Sequence, residues 1–370
     1  MERPIFKPIG TPVVDLDTPA LVIDLDKLEH NLATAHTFFQ TCKPKLRPIA
    51  SVHACPVLAH KQIATGGTVG GIAVNTLGEA EVFVAHGITD VFVITPVVTQ
   101  AKLQRLCALT RQATVTVAVD HPTHIQQLTD AATANHVPAI QLAVTVDLGA
   151  QGYGITPGPM VLDLIRAIEG AACLNFVGLI ATAAPINTTE MENRPSSVPQ
   201  ILQPLVDTYG QLVRSGLDVN MVSVGGINAY ENVAAVDSVT EVRLGNYVLM
   251  DASHASLETS LQCAAHILTT VTSRPEPGTA ITDAGQKAVG IDLGLPVVAD
   301  RPGLSAVGLS AEHCRLELSQ NGHDGVDLGD RIWLTPWDIG TCIHLYDTVY
   351  GARGGCLEVV WPVAARGQYR

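Results

Sequence analysis

Short apolar runs rich in β-branched residues alternate with helix-like stretches over the first two thirds of the chain. The alternation opens with a strand-like run at residues 19–24 and a stretch at residues 25–41 whose apolar positions recur at helical spacing. Later strand-like runs lie at residues 71–74, 91–94, 115–119, 141–146, 177–180, 221–224 and 241–243. Parallel strands need helical crossovers and bury both faces. The pattern therefore predicts an α/β fold with a closed, parallel (β/α)8 TIM-like barrel.

An open, doubly wound sheet is the alternative arrangement of the same elements. Dinucleotide-binding sheets of that kind carry a glycine-rich GxGxxG loop after their first strand. No such loop follows residues 19–24. The sequence therefore favours the barrel over the open sheet.

The last third of the chain has a different sequence pattern, in which proline, glycine and aspartate separate short strand-like runs. These runs lie at residues 266–271, 278–282, 331–334 and 357–361, and residues 341–346 also alternate like a strand. Such spacing predicts an antiparallel β domain, which residues 12–14 are expected to join. We expect the barrel to span residues 20–262 and the β domain to combine residues 1–19 with residues 263–370.

Composition narrows the class of protein. The 370 residues are 47% hydrophobic, which is enough for a large core, and the formal net charge is −13. This charge and the lack of a basic patch argue against nucleic acid as a partner. The N-terminus has no apolar leader, and no later apolar run approaches the roughly 18 residues that a membrane span needs. We therefore expect a cytoplasmic protein that has no membrane partner.

Residues 47–56 read Arg-Pro-Ile-Ala-Ser-Val-His-Ala-Cys-Pro and begin as a short strand. This frame resembles the cofactor-lysine strand of the D-threonine aldolase and D-serine dehydratase family, whose members use pyridoxal phosphate. Further matching segments lie, in the family's order, at residues 17–20, 77–81, 245–247, 283–288, 311–313 and 361–367. The resemblance implies an alanine-racemase-like barrel with its active site at the carboxyl ends of the strands. It also implies a homodimer in which the C-terminal β domain helps cover the active site of the partner subunit.

Several positions depart from the family's site residues. Ser51 occupies the position of the lysine that forms the Schiff base with pyridoxal phosphate, and a hydroxyl cannot form an imine. Gly152 falls at the position of an arginine that contacts the cofactor. Thr182 and Ala183 replace a tyrosine and a histidine. We therefore expect no covalent pyridoxal phosphate, and the cofactor is left unknown.

The family's metal pair is also incomplete in this chain. The resemblance places that pair at Asp338 and Gly340, so one ligand at most is retained. A single carboxylate could hold a hard divalent ion with the help of water and substrate oxygens, which makes Asp338 a weak candidate for a metal site. Cys342 and His344 lie close by in the sequence, but we expect core and surface roles for them.

A phosphate-binding turn is the part of the family's site that this sequence retains. A glycine-rich turn between a strand and a helix can hold an anion through backbone N–H groups and the helix dipole, although such turns are also common without a ligand. The resemblance places a second loop on the other side of the same anion. The candidate ligand-binding residues are Ser223, Gly225, Gly226, Ile227, Asn228, Gly245, Asn246 and Tyr247.

Two residues of the opening segment are candidates for catalysis. His53 could act in acid–base chemistry because imidazole titrates near neutral pH, or it could be a hydrogen-bonded supporting residue. Ser51 could donate a hydrogen bond to a substrate, or act as a nucleophile beside a base, although no GxSxG motif surrounds it. Lys287 is the remaining lysine in the matching segments, and a salt bridge is the role we favour over imine formation.

Three functions remain open on the sequence. The first is a lyase-type enzyme that acts on a small polar hydroxy- or oxo-acid without a pyridoxal phosphate Schiff base. The second is a non-catalytic protein that binds a small, anionic ligand. The third is a pyridoxal phosphate enzyme that uses a displaced lysine.

Overall fold

The computed structural model describes residues 7–149, 153–182, 194–226, 229–255, 259–318 and 325–370. The chain divides into two compact units. The unit called here the barrel unit consists of Ala35–Ser51, Leu58–Gly245 and Gly367–Arg370. The unit called here the β unit consists of Met1–Thr34, Val52–Val57 and Asn246–Arg366. The domain limits expected from the sequence stay a prediction.

Seventeen strands and nine α-helices occur in the described residues. The strands are β1 (Ala20–Asp24), β2 (Lys45–Pro48), β3 (Ile72–Val74), β4 (Asp90–Val93), β5 (Thr114–Val119), β6 (Ile140–Val146), β7 (Leu174–Thr182), β8 (Met221–Gly225), β9 (Glu241–Leu244), β10 (Ala265–Ser273), β11 (Thr279–Thr282), β12 (Val297–Val298), β13 (Leu304–Leu309), β14 (Cys314–Leu318), β15 (Arg331–Thr335), β16 (Thr348–Arg353) and β17 (Cys356–Pro362). The helices are α1 (Leu25–Thr41), α2 (Pro56–Thr65), α3 (Leu77–Ala85), α4 (Gln100–Leu109), α5 (Pro122–Ala134), α6 (Pro159–Glu169), α7 (Arg194–Arg214), α8 (Tyr230–Ala234) and α9 (Ile339–Ile343).

The barrel unit is built on an eight-stranded parallel sheet in the order β2-β9-β8-β7-β6-β5-β4-β3. An isolated parallel bridge joins Ile49, just after β2, to Ala73 on β3, so the two edges of the sheet meet. The barrel that the alternating pattern predicts is therefore confirmed. One apolar cluster includes Ala73, Phe92, Ala118, Ala143 and Ile180, which come from five successive strands. Three of these five side chains are alanines, which leave room for Phe92 and Ile180 in a closely packed interior.

The run at residues 19–24 forms β1, but this strand belongs to the sheet of the β unit and not to the barrel. Strand β1 pairs antiparallel with β10 and parallel with β16. The barrel's first strand is β2, whose last two residues begin the segment that resembles the cofactor-lysine strand. Local alternation of polar and apolar residues indicates that a segment is extended. The strand with which it pairs depends on contacts with segments distant in the chain.

The β unit contains a mostly antiparallel sheet, as the sequence predicts. Its strands follow the order β13-β14-β11-β10-β1-β16-β17, and β15 pairs with β10 and β12. The strand expected at residues 341–346 is wrong, because Ile339–Ile343 forms the helix α9. The side chain of Asp338 caps this helix by accepting a hydrogen bond from the Thr341 N–H, which favours a helical turn over an extended chain. Among the helices of the described residues, none has the length and apolar character needed to cross a membrane.

Candidate functional site

Ser51 lies just beyond β2 in a short 3-10 turn, where it is only 5% exposed. Its hydroxyl donates a hydrogen bond to Glu79 Oε2 at 2.7 Å and accepts one from the Asn75 N–H at 2.7 Å. Glu79 Oε2 also accepts from the Thr76 N–H at 3.0 Å, and the Thr76 hydroxyl caps the same helix start. Ser51 is therefore part of the capping box that begins α3. Its role as a nucleophile stays a prediction.

His53 belongs to the β unit and is fully buried. Its Nδ1 accepts a hydrogen bond from the Cys55 N–H at 3.1 Å. A backbone N–H can only donate, so the neutral ring carries its proton on Nε2. In this tautomer His53 can donate a hydrogen bond through Nε2, and its acid–base role stays a prediction.

The turn after β8 retains two of the residues expected to bind an anion. Gly226 has φ 151°, a value that favours glycine, and its N–H points to the carbonyl of Arg243 at 3.4 Å. A Cβ atom on Gly225 would lie 3.3 Å from Arg243 Nη2, so glycine leaves room for a guanidinium group there. Ile227 and Asn228 lie outside the described residues.

Arg243, on β9, is a site residue that the sequence reasoning missed. It is 2% exposed, and its Nη1 donates to the Ser223 carbonyl at 2.8 Å and the Ser223 hydroxyl at 2.7 Å. Its Nη2 donates to the Ala181 carbonyl at 2.8 Å, while Nε has no hydrogen-bond partner in the described structure. The available signal was a charged residue on a strand of a parallel sheet, because such strands are normally buried on both faces.

Glu241, the carboxylate whose charge acts on Arg243, forms its ion pair with a different arginine. Both oxygens of Glu241 accept from Arg47 Nε at 3.0 Å, and Asp90 Oδ1 accepts from Arg47 Nη1 at 2.8 Å. Burial lowers the pKa of Arg47, but the charges of Glu241 and Asp90 outweigh that effect and raise it. Burial lowers the pKa of Arg243 to about 10, against the opposing charge of Glu241. Arg243 is therefore still a cation at neutral pH, and within the described residues its hydrogen bonds all go to neutral acceptors.

Tyr153 and Thr145 are two further polar side chains of the barrel unit. Tyr153 is 40% exposed, and its hydroxyl donates to the carbonyl of Ile94, just after β4, at 3.0 Å. The negative charge of an ionised Tyr153 would raise the pKa of Arg243, so the two groups are close enough to interact. Thr145 is fully buried on β6, and its hydroxyl has no partner in the described residues. The barrel unit thus holds a buried cation, an accessible phenol and a buried hydroxyl that has no partner among the described residues.

Asp251, in the β unit, was also missed by the sequence reasoning. Its Oδ2 accepts from Asn246 Nδ2 at 2.7 Å and from the Ile339 N–H at 3.1 Å. Its Oδ1 accepts from the Ser253 hydroxyl at 2.7 Å and from His254 Nδ1 at 2.6 Å. Burial raises the pKa of Asp251, but these hydrogen bonds outweigh it and lower the pKa below its ordinary value. Asp251 thus joins Asn246 to the start of α9, beside Asp338.

The remaining predicted residues occupy varied positions in the β unit. Tyr247 and Cys342 are fully buried, and His344 is half-buried. Asp338 is the cap of α9, and no group of three or more metal-ligating side chains occurs in the part of the chain that the structure describes. Lys287 is exposed and forms an ion pair with Glu312. The metal role of Asp338 stays a prediction.

Comparison with known proteins places this architecture in a family. Residues 23–253 match the family described as alanine racemase, N-terminal domain, and residues 264–352 match a putative serine dehydratase domain. D-threonine aldolase from Arthrobacter sp. is 31% identical to the chain, over 97% of the chain and 95% of the aldolase. The chain belongs to the D-threonine aldolase and D-serine dehydratase-like family.

Two other members of this family extend the comparison. 3-Hydroxy-D-aspartate aldolase from Paracoccus denitrificans (strain Pd 1222) is 31% identical over 96% of the chain and 93% of that protein. The crystal structure of D-threonine aldolase from Filomicrobium marinum superposes with a TM-score of 0.93, at 32% identity and over 98% of this chain and 99% of that one. These similarities extend over both units of the chain.

Proposed function

We propose that this protein is a lyase that cleaves a small hydroxy-oxo acid without forming an imine with pyridoxal phosphate. The observation that carries the proposal is the buried cation Arg243, whose hydrogen bonds within the described residues all go to neutral acceptors. A buried cation that contacts no carboxylate is expected to bind an anionic ligand, because the ion pair offsets part of the free-energy cost of burying the charge. The family's named aldolases support lyase chemistry.

The residues present do not fit a covalently bound pyridoxal phosphate. Imine formation needs a lysine amine at the carboxyl ends of the barrel strands, and Ser51 offers a hydroxyl that is hydrogen-bonded to Glu79. The barrel unit has four lysines, all in the described residues, and none follows the end of a strand. Lys43 precedes β2, Lys45 begins it, and Lys61 and Lys102 lie in α2 and α4.

This lack of an imine restricts the substrates on which such a lyase can act. Cleavage of a carbon–carbon bond leaves an electron pair that must be accepted by some group. A 4-hydroxy-2-oxo acid carries its own acceptor: the hydroxyl loses its proton and becomes an aldehyde carbonyl as the bond between C3 and C4 breaks. The released pair moves onto the 2-oxo oxygen as an enolate, which is then protonated at C3. A hydroxy-amino acid has no such carbonyl and is not expected to react.

The chain's own residues would bind and polarise this substrate. The Arg243 guanidinium, still charged at neutral pH, pairs with the substrate's carboxylate or its developing enolate oxygen through the unpartnered Nε. The hydroxyl of Thr145, on the strand next to β7, is a second donor that no described protein group uses. Both groups are buried, so their interactions with an anion are screened little by water.

The proposal is tested by supplying 4-hydroxy-2-oxopentanoate and D-threonine separately, each with and without pyridoxal phosphate and Mn²⁺. Release of aldehyde and 2-oxo acid from the first compound alone, independent of pyridoxal phosphate, is the expected result. Arg243→Met should abolish this release, whereas Lys102→Met, which removes a cation from helix α4, should leave it unchanged.

Two other results would replace this proposal with the alternatives. Turnover of D-threonine only with pyridoxal phosphate, together with a cofactor adduct trapped by borohydride, indicates an enzyme with a displaced lysine. Tight binding of small carboxylates without any chemical change indicates a non-catalytic ligand-binding protein. Stimulation by Mn²⁺ that is lost in Asp338→Asn would assign the metal role to Asp338.

A homodimer in the cytoplasm is part of the same proposal, because the family resemblance implies shared sites between two subunits. Sedimentation velocity measures the mass of the particle directly. A single species of twice the 39.0 kDa chain mass is expected.

A further inference from the structure

Tyr153 is held in place by backbone contacts with the end of β6. The Ile155 N–H donates to the Thr145 carbonyl at 2.8 Å, and the Asp147 N–H donates to the Ile155 carbonyl at 2.9 Å. Gly154 has φ 137°, and a Cβ atom there would lie 2.8 Å from the Asp147 nitrogen. Glycine is therefore required at this position, and it allows the chain to fold back against β6.

From this anchor the Tyr153 side chain reaches across the carboxyl ends of the strands. Its hydroxyl bonds to the carbonyl of Ile94 after β4, so the side chain passes the end of β5, which lies between β4 and β6 in the sheet. Arg243, on β9, reaches the same end of the barrel, because its Nη2 donates to the carbonyl of Ala181 on β7. Ala181 lies opposite Val146 on β6, and Val146 bridges to Ile155, two residues after Tyr153. Tyr153 is 40% exposed and Arg243 is 2% exposed. The buried guanidinium and the more accessible phenol therefore lie at the same end of the barrel strands.

The hydrogen bond to Ile94 decides what the phenol can offer such a ligand. A tyrosine hydroxyl has one proton and two acceptor lone pairs, and a backbone carbonyl can only accept. The single proton of Tyr153 is therefore given to Ile94. Toward a ligand the oxygen of Tyr153 acts as an acceptor, so it can bind a group that donates, such as an alcohol.

We infer that Tyr153 determines specificity by accepting a hydrogen bond from the hydroxyl group of the substrate while Arg243 binds its carboxylate. This inference rests on the proposed function and adds to it the residue that distinguishes a hydroxy acid from an acid without the hydroxyl. Sites built to hydrogen-bond a substrate hydroxyl discriminate against the analogue that lacks it, because a polar group is then left without its partner.

Two carboxylates that differ only in the hydroxyl test the inference by binding alone. 4-Hydroxypentanoate and pentanoate both lack the 2-oxo group, so neither can be cleaved, and calorimetric titration gives their dissociation constants. The wild type is expected to bind 4-hydroxypentanoate about 2- to 10-fold more tightly, the range of one neutral hydrogen bond. Tyr153→Phe should bind both compounds equally, at the affinity that the wild type has for pentanoate.

The variants separate the inference from the function on which it rests. Tyr209→Phe, which removes a phenol from α7 in the same unit, should keep the wild-type preference. Arg243→Met should lose measurable binding of both compounds. If Tyr153→Phe keeps the preference, or if the wild type binds both compounds equally, the inference is wrong and the anion site stands. If the wild type binds neither compound, the anion site fails and the proposed function fails with it. Thermal unfolding of each variant verifies that it is folded.

Discussion

The Ser51 hydroxyl donates a 2.7 Å hydrogen bond to Glu79 Oε2, the carboxylate of the α3 capping box. Ser51→Ala removes this bond and leaves the Asn75 N–H with only the longer contact to Glu79, at 3.1 Å. We expect the variant to lose about 1–3 kcal/mol of unfolding free energy, the range for breaking a buried hydrogen bond. Urea denaturation followed by circular dichroism measures the change.

Thr99→Ala is the matched control for this first prediction. Thr99 caps α4 through a longer hydrogen bond to the Lys102 N–H at 3.4 Å, so its loss should cost about 0.5–1 kcal/mol. A Ser51→Ala protein as stable as the wild type would show that the contact with Glu79 contributes nothing to stability.

Glu241→Gln tests the buried ion pair at Arg47. The substitution preserves the shape of the side chain but leaves Arg47 with Asp90 alone, and Asp90 is partly exposed. Because the remaining guanidinium is buried, we expect a loss of about 3 kcal/mol in unfolding free energy. Glu312→Gln removes one partner of the exposed pair with Lys287 and should cost about 0–1 kcal/mol. Equal effects of the two substitutions would contradict this account.

Gly178→Ala tests how closely β7 and β8 approach each other. A Cβ atom at Gly178 would lie within 1.9 Å of the Met221 carbonyl oxygen, which is backbone and cannot move aside as a flexible side chain can. We expect a loss of about 1–3 kcal/mol or more, as for other overpacked sites. Gly308→Ala, where no atom lies within 4 Å of the added Cβ, should have almost no effect. Thermal unfolding of the two variants compares them directly.

His266 makes the stability of the protein depend on pH. Burial lowers its pKa to about 4, from an ordinary value of 6.5. Between these two values the unfolded chain binds a proton that the folded state does not, so stability falls as the pH drops from 6.5 to 4. The contribution of His266 to this loss is on the order of 3 kcal/mol. Urea denaturation at a series of pH values should show a shallower loss for His266→Gln than for the wild type, and parallel curves would exclude His266 as the cause.

Sequence periodicity predicted much of the fold, because it reports which face of an element is buried. The helix expected at residues 25–41 has the bounds of α1, and the runs at residues 141–146 and 221–224 are β6 and β8. The strand predicted at residues 341–346 was wrong, since six residues are too few to distinguish a strand from a helical turn that a side chain caps. For the site, the sequence indicated the loops but not Arg243 or Asp251, whose importance arises from contacts with residues distant in the chain.

By itself the sequence determined the alternation that forms the barrel, the family frame around residues 47–56, and the absence of a lysine at position 51. These features depend on residue identity and on local spacing, which can be read without coordinates. Only the tertiary structure decided that β1 pairs in the sheet of the β unit, that Ser51 bonds to Glu79, and that Arg243 lies buried among neutral acceptors. Strand partners and the surroundings of a buried charge depend on segments far apart in the chain, and these meet only when the chain folds.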